Sequence, residues 1–225
     1  MFQVIANRLA ECGFHLRFIG RRRRQVLVSQ KIVTGIDGDG QGTAAHPAAQ
    51  RLDFPGVGGA VAVISHQQAC GGAEQRRPGL PITIDSRYDL LTYKHLTAAT
   101  PNEPEVEAAF GQPIGNNLER LHTLGRKLLR GQGLEALLIT RGRDGMALFE
   151  PRRPPRHLPV FGSAQAVDVT GAGDTVIAAF TLALAAGATF LQAAVLANCA
   201  GGIVVMKRGT ATVSLSEMTE ALRNA

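Results

Sequence analysis

No charged residue interrupts the chain between Thr175 and Met206, and this limits what that part of the molecule can form. An uncharged run of this length is either a membrane span or a pair of buried helices. Gly187 lies near its middle, polar residues interrupt its second half, and Ala and Gly dominate over Leu and Ile. The pattern therefore predicts two buried helices, roughly 175–186 and 190–200, and no membrane association.

Two capping-box patterns mark helix starts in the C-terminal third. Thr189 is followed three residues later by Gln192, and Ser214 is followed by Glu217. Each pair satisfies two backbone N–H groups that a helix start leaves without partners. The first pair predicts that the second buried helix begins there. The second predicts a helix in "LSEMTEALRN".

Apolar runs of strand type alternate with helical patterns along the rest of the chain. The runs are "VAVIS" (61–65), "PITID" (81–85), "ALLIT" (136–140), "MALFE" (146–150) and "QAVDV" (165–169). "RGRDG" between the third and fourth predicts a hairpin turn. A helix with Leu118, Leu121, Leu124 and Leu128 on one face is expected to stop near Gly131. The alternation predicts an α/β fold with a mostly parallel sheet and helices on both faces.

Charge and cysteine content limit the binding partners, the cellular location and the metal sites that we expect. The chain has 24 Lys and Arg against 18 Asp and Glu, a net charge of +6, with basic clusters at 21–24 and 152–156. No aromatic residues interleave with these arginines, so we interpret them as a solvated or phosphate-attracting surface and expect no nucleic-acid partner. Three scattered cysteines favour a reducing, cytoplasmic location and argue against a structural zinc site.

The stretch "DVTGAGDTVIAAF" (168–180) has the composition of an anion site. A strand would lead into Gly171–Gly173, where backbone N–H groups converge at the start of a helix. Asp174 at that point has two interpretations. It caps the helix, or it accepts a proton from a hydroxyl that attacks a phosphorus atom. Local physics alone leaves both open.

Four segments resemble the PfkB/ribokinase family of carbohydrate kinases. "DVTGAGDT" resembles its D-T-x-G-A-G-D signature, "TPNEPEVEAAFG" (100–111) its N-x-x-E element, "ITRGRDGMALF" (139–149) its T-x-G-x-x-G nucleotide loop, and "LANCAGGIVVMKRGTATVS" (196–214) its adenine-side segment. Within the family, the likeness is greatest to kinases acting on D-glycero-D-manno-heptose 7-phosphate. The resemblance implies a ribokinase-like three-layer α/β/α sandwich that uses ATP and Mg²⁺.

The resemblance also implies a role for each matched position. Asp174 would be the catalytic base, and the N–H groups of Gly171, Ala172 and Gly173 would stabilise the transferred phosphoryl group. The nucleotide would contact Thr140, Gly142, Gly145 and Asn198. Mg²⁺ would be organised by Asn102 and Glu105, and a monovalent cation by Asp168 and Thr170. Singly, these positions also fit a capping box at 102–105, a plain hairpin turn at 140–145 and a satisfied polar residue at 198.

The N-terminal part departs from the family pattern. The resemblance covers 60–225, the predicted catalytic core, whereas 1–59 lacks the substrate-binding strand, the lid and the Gly-Gly signature, and is interpreted as a degenerate remnant. "SHQQACGG" (65–72) also differs from related kinases. A lost central strand would expose a sheet edge and favour a homodimer. Two hypotheses follow: a kinase for a sugar or sugar phosphate, or a non-catalytic nucleotide-binding remnant that works with a partner chain.

Overall fold

The computed structural model describes residues 52–53, 60–64, 81–85, 90–163, 165–209 and 211–224. The strands in these ranges are β1 (Leu52–Asp53), β2 (Ala60–Ile64), β3 (Ile82–Ile84), β4 (Ala98–Ala99), β5 (Ala136–Thr140), β6 (Met146–Phe149) and β7 (Arg156–Leu158). The α-helices are α1 (Glu103–Phe110), α2 (Leu118–Gln132), α3 (Ala172–Ala185), α4 (Phe190–Val204) and α5 (Leu215–Arg223). Apart from β1, the interpreted remnant 1–59 lies outside the described residues, as does the divergent segment 65–72.

One sheet contains all the described strands, which lie side by side in chain order. β2, β3, β4 and β5 run parallel to one another. β1 is antiparallel to β2, and β6 and β7 continue the opposite side of the sheet in antiparallel pairs. The β5–β6 hairpin predicted from "RGRDG" is confirmed, with Thr140 opposite Met146. The four predicted strands that precede 165–169 all form.

Each face of the sheet is covered by its own apolar core. Leu138 and Leu148 point to the face covered by α3, α4 and α5. Their neighbours Leu137 and Phe149 point to the opposite face, covered by α1 and α2. This alternation is what a strand buried on both sides requires, because successive side chains leave the sheet in opposite directions. The three-layer sandwich is confirmed.

The uncharged stretch forms the two buried helices α3 and α4. Gly201 of α4 lies so close to α3 that a Cβ there would be 3.0 Å from Val176 Cγ2. Small residues thus let the two helices approach each other and the sheet. Both helices are longer than predicted, since α3 begins at Ala172 and α4 continues to Val204. No helix in the described part of the chain is long and apolar enough to cross a membrane.

The local capping signals are confirmed. Thr189 with Gln192 and Ser214 with Glu217 form complete capping boxes at the starts of α4 and α5. The predicted end of the leucine-faced helix was slightly early, because α2 continues to Gln132. Gly133, not Gly131, takes the left-handed conformation (φ 60°) that closes it.

The predicted strand at 165–169 was wrong. Its backbone pairs with no strand in the described ranges. Instead, the N–H groups of Val167 and Asp168 both donate to the carbonyl of Val205, in the loop after α4. Val167 and Val169 are 53% and 69% exposed, so the apolar pattern here does not reflect burial in a sheet. α3 is therefore preceded by an irregular segment that lies against the 205–209 loop.

Candidate active site

Three polar residues lie at the carboxyl ends of neighbouring parallel strands. Asp85 follows β3, Asn102 lies just beyond β4, and Thr140 ends β5. Asn102 and Thr140 form an isolated parallel bridge, and the Thr140 N–H donates to the Pro101 carbonyl over 2.9 Å. Ligands of open α/β sheets bind at this edge. The fold therefore brings the N-x-x-E and T-x-G-x-x-G segments together.

The start of α3 meets the same edge of the sheet. A Cβ built on Gly173 would lie 4.0 Å from Asp85 Oδ2, which places the first turn of α3 beside the end of β3. Deeper in the fold, the hydroxyl of Thr83 on β3 lies 2.5 Å from that of Thr181 on α3. The hydroxyl contact ties α3 to β3. The "GAGD" turn thus lies near the ends of the central strands.

Gly171 and Asp174 occupy distinct positions in that turn. Gly171 is the N-cap of α3, with φ 78° and ψ 6°, a left-handed conformation that favours glycine. Glycine has no side chain to cap the helix, and Asp174 is the third residue of the first turn, where a carboxylate is favoured by the helix dipole. Asp174 is half-buried. It is therefore not the N-cap residue that the capping interpretation of the sequence had supposed.

The backbone N–H groups of this turn are candidates for an anion site, since a helix leaves its first N–H groups without intrahelical partners. The Ala172 N–H donates to the Val169 carbonyl over 3.2 Å, the long end of the hydrogen-bond range. The Thr175 N–H already donates to the Gly171 carbonyl. An anion would therefore bind to the N–H groups of Gly171 to Gly173, which precede the first N–H group with a helical hydrogen bond, that of Thr175.

Asn102 and Glu105 form a complete capping box at the start of α1. The Glu105 N–H donates to Asn102 Oδ1 over 2.8 Å, and the Asn102 N–H donates to Glu105 Oε2 over 2.9 Å. A carbonyl or carboxylate oxygen can accept a second bond, so both side chains retain acceptor capacity. Hard oxygen donors of this kind suit Mg²⁺ that keeps most of its water ligands. The donor set fits the metal that the resemblance implies.

The loop between β5 and β6 has a conformation that demands its last glycine. A 3₁₀ turn covers Gly142–Asp144, and the Arg141 N–H donates to the Gly145 carbonyl over 2.8 Å. Gly145 has φ 78°, and a Cβ there would collide with the backbone carbonyl of Leu158. Gly142 has φ 54° with open space around it. The positive φ and the packing against Leu158 thus account for Gly145, whereas packing does not account for Gly142.

Asn198 is buried in α4, where it is 8% exposed. Its Nδ2 donates to the Pro159 carbonyl over 2.7 Å, which ties α4 to the segment that follows β7. This is the satisfied polar residue that the sequence left open as one alternative. Contact with an adenine ring stays a prediction for this position.

Asp168 connects the irregular segment before α3 to the loop after α4. Its Oδ1 accepts the Thr170 N–H and its Oδ2 accepts the Gly209 N–H, each over 2.9 Å. Chiefly the Thr170 bond, and then the Gly209 bond, hold the pKa of the Asp168 carboxyl below its usual range. The carboxylate thus fixes the loop that leads into the "GAGD" turn. Binding of a monovalent cation by Asp168 and Thr170 stays a prediction.

Sequence reasoning missed two charged features at this edge. Asp85 directly follows a buried strand, and the rule that ligands bind beyond strand ends could have drawn attention to it. The second is an ion pair between Arg141 Nε and Glu103 Oε1, 2.6 Å long, with the side chains only 9% and 18% exposed. These two residues lie far apart in sequence, so no local pattern indicates that they meet.

The fold and the strand-edge residues define a three-layer α/β protein with polar groups at the sheet edge where such folds bind ligands. Residues 79–218 match the family model described as "pfkB family carbohydrate kinase". The chain belongs to the PfkB family of carbohydrate kinases.

Individual relatives agree with this assignment. The chain is 46% identical over 150 residues to the bifunctional protein HldE of Yersinia enterocolitica, covering 66% of this chain and 31% of that protein. It thus spans about a third of the length of such relatives.

Solved structures show the same fold. The ribokinase of Arabidopsis thaliana, complexed with ribose and ATP, superposes with a TM-score of 0.57 at 25% identity, covering 64% of this chain and 48% of the other. The ribokinase of Thermotoga maritima gives a TM-score of 0.57 at 26% identity, covering 66% and 50%.

Proposed function

We propose that this chain is an ATP-dependent carbohydrate kinase that transfers the γ-phosphoryl group of ATP to a hydroxyl of a phosphorylated heptose. The observation that carries the proposal is the position of the α3 start. The turn Gly171–Asp174 lies beside Asp85 at the edge where Asn102 and Thr140 meet. A helix start that binds anions and a half-buried carboxylate are thus next to two elements suited to a metal and a nucleotide.

Asp174 acts as the general base. The sugar hydroxyl oxygen attacks the γ-phosphorus while its proton passes to the Asp174 carboxylate. The bond from the γ-phosphorus to the bridging oxygen breaks, and ADP leaves. Positioned proton transfer of this kind contributes about 10²–10⁴-fold to a rate. A carboxylate beside a phosphate site otherwise repels the ligand, and this role gives a reason for its presence.

The backbone of the same turn stabilises the transferred group. The N–H groups of Gly171, Ala172 and Gly173 donate to the phosphoryl oxygens as negative charge develops there. Ala172 exchanges its long bond to Val169 for a bond to the phosphoryl group. Such donors are effective because they are fixed by the helix before the reaction begins.

The neighbouring elements hold the metal and the nucleotide. Asn102 and Glu105 would hold Mg²⁺, and the ion would supply positive charge that offsets the charge of the phosphates. Thr140, Gly142 and Gly145 line the phosphate side of the nucleotide, and Asn198 lies on the adenine side. Asp168 and Thr170 bind a monovalent cation beside the turn.

The heptose assignment rests on similarity to HldE and on charge. "ATPNEPEVEAAFG", "VDVTGAGDTVIAA" and "GTATVS" resemble segments of kinases that act on D-glycero-D-manno-heptose 7-phosphate. A net charge of +6 favours substrates that carry phosphate. A homodimer is a further prediction, based on the sheet edge expected from the N-terminal sequence.

The test is ADP release by the purified chain with ATP, Mg²⁺ and heptose 7-phosphate, compared with unphosphorylated heptose, ribose and fructose 6-phosphate. We expect weak turnover that is greatest with heptose 7-phosphate. Nucleotide binding without turnover on any sugar would support the alternative, a nucleotide-binding remnant that needs a partner chain. Absence of both turnover and calorimetric heat at millimolar nucleotide would contradict both.

A further inference from the structure

The ion pair between Arg141 and Glu103 connects two elements of the proposed site directly. Glu103 is the first residue of α1 and stands between Asn102 and Glu105, the proposed metal-binding residues. Arg141 follows Thr140 and opens the proposed nucleotide loop. The pair is therefore placed to fix one element relative to the other.

The contacts form two consecutive ties between the same segments. Thr140 bridges Asn102, and its N–H donates to the Pro101 carbonyl over 2.9 Å. One residue further along each of the two segments, Arg141 Nε donates to Glu103 Oε1 over 2.6 Å. The first tie uses backbone atoms alone. The second is a side-chain contact that joins the first turn of α1 to the loop.

Burial makes this pair different from a surface ion pair. The Arg141 side chain is 9% exposed and that of Glu103 is 18% exposed. Surface pairs contribute little, because water screens them. In a largely desolvated pair, loss of one partner leaves a buried charge that must find water or a new partner, so the local structure moves. Loss of the Glu103 carboxylate is therefore expected to shift the loop that contains Arg141.

The same arginine is also held through its backbone. Its N–H donates to the Gly145 carbonyl over 2.8 Å and closes the 141–145 loop. A shift of Arg141 toward water would therefore displace the loop as a whole. Conversely, a shift of Glu103 would move the capping box that orients Glu105 Oε2 toward the Asn102 N–H.

We propose that Arg141 and Glu103 are positioning residues that couple metal binding at the start of α1 to nucleotide binding by the 140–145 loop. The inference rests on the proposed function, because it assigns the coupling to that site. Neither side chain needs to touch the substrate. The pair acts by keeping Asn102 and Glu105 at a fixed position relative to Thr140.

The test measures ATP affinity by calorimetry with excess Mg²⁺ and with excess EDTA. Coupled sites change each other's affinity by about 5–150-fold, and we expect the intact chain to fall in that range. In Glu103→Gln, we expect a lower affinity in EDTA, because the loop is displaced, and a Mg²⁺ effect that falls at least about fivefold. Glu103→Asp, which keeps the charge on a shorter side chain, should retain part of the effect.

Glu150→Gln is the matched control. Glu150 pairs with Arg153 over 3.0 Å, and it follows β6 at the opposite end of β5 from Thr140. Its loss should leave the Mg²⁺ effect unchanged. Amide hydrogen exchange without nucleotide gives a second readout, and Glu103→Gln should raise exchange at both 102–105 and 141–145.

The outcomes separate the two proposals. If the intact chain binds no nucleotide under either condition, the proposed function fails. If it binds, and Glu103→Gln melts at a lower temperature yet keeps the full Mg²⁺ effect, the pair is only structural and the coupling proposal is wrong. Unchanged exchange at 141–145 in Glu103→Gln would contradict it independently. Should Glu103→Gln fail to fold, the same comparisons apply to Glu103→Asp.

Discussion

Asp85 Oδ2 lies 4.0 Å from the point that a Cβ on Gly173 would occupy. This distance is ordinary van der Waals contact, so the first turn of α3 rests against the end of β3 without needing a glycine for space. Gly145 is different, because it has φ 78° and a Cβ would meet the carbonyl of Leu158. The structure thus requires glycine at position 145, whereas position 173 has room for a Cβ.

We therefore expect two alanine substitutions to change the free energy of unfolding by very different amounts. Gly145→Ala should lower the free energy of unfolding by at least about 2 kcal/mol, since it combines left-handed strain with a backbone collision. Gly173→Ala should change it by less than about 1 kcal/mol, because alanine is favourable in a helix. Urea unfolding of both variants tests this. Equal losses would mean that the 140–145 loop is not held as described.

The buried hydroxyls of Thr83 and Thr181 give a second, asymmetric prediction. Thr181 Oγ1 donates to the Ile177 carbonyl over 2.7 Å, so its contact with Thr83 requires Thr83 to be the donor. Thr181→Val leaves a buried donor without its acceptor and should cost about 1–3 kcal/mol. Thr83→Val removes that donor and should cost about 0.5–1.5 kcal/mol.

The double variant completes this test. With both residues changed to Val, neither buried hydroxyl remains, and the loss should be smaller than the sum of the single losses. Thermal or urea unfolding of the four proteins measures the coupling. Strictly additive losses would show that the two hydroxyls do not interact.

Glu217 predicts a dependence of stability on pH. Its carboxylate pairs with Lys207 Nζ over 2.5 Å and caps α5, and these bonds, Lys207 first, lower its pKa from 4.5 to about 2. Because the folded-state pKa is depressed, this stabilisation is present above about pH 4.5 and is lost as the pH falls toward 2. The side chain is 41% exposed, so salt should weaken it.

Urea unfolding of the unsubstituted chain and Glu217→Gln, measured from pH 7 to pH 3, tests this. The unsubstituted chain should be more stable at neutral pH, and the difference should shrink as the pH falls. A difference that stays constant over this range would mean that Glu217 acts only through its uncharged hydrogen bonds.

How much the sequence predicted depends on the range of the interaction involved. Capping boxes such as Thr189 with Gln192 were confirmed because both partners lie within one helical turn. The strand at 165–169 was wrong because Val167 and Val169 form an apolar run but are exposed. The contact of Arg141 with Glu103 could not be predicted, since it exists only once β4 and β5 are neighbours.

The same distinction between local and long-range interactions applies to the candidate site. The family segments identified Asn102 and Thr140 as separate candidates, and the bridge between them appears only in the folded structure. The conformation of the turn at Gly171 and the proximity of Asp85 depend on how α3 packs against β3. A sequence motif predicts neither the conformation nor the proximity, because packing joins residues that are distant in the chain.

The central claim is that Asp174 accepts the proton during phosphoryl transfer. Asp174→Asn keeps the shape of the side chain but cannot act as a base. It should cost less than about 1 kcal/mol of stability, since asparagine keeps a side-chain oxygen in the same place and a charge at a helix start contributes about that much. ATP affinity should hold or tighten slightly, because one negative charge beside the phosphates is gone. Glu220→Gln, an exposed change of the same charge on α5, serves as the control.

The most direct measurement is ADP release from ATP, Mg²⁺ and heptose 7-phosphate by the unsubstituted chain, Asp174→Asn and Glu220→Gln under identical conditions. We expect a loss of about 10²–10⁴-fold in Asp174→Asn, with the control unchanged and ATP still bound. Turnover by Asp174→Asn at the rate of the unsubstituted chain would contradict it, because a base that can be removed without loss is not the base.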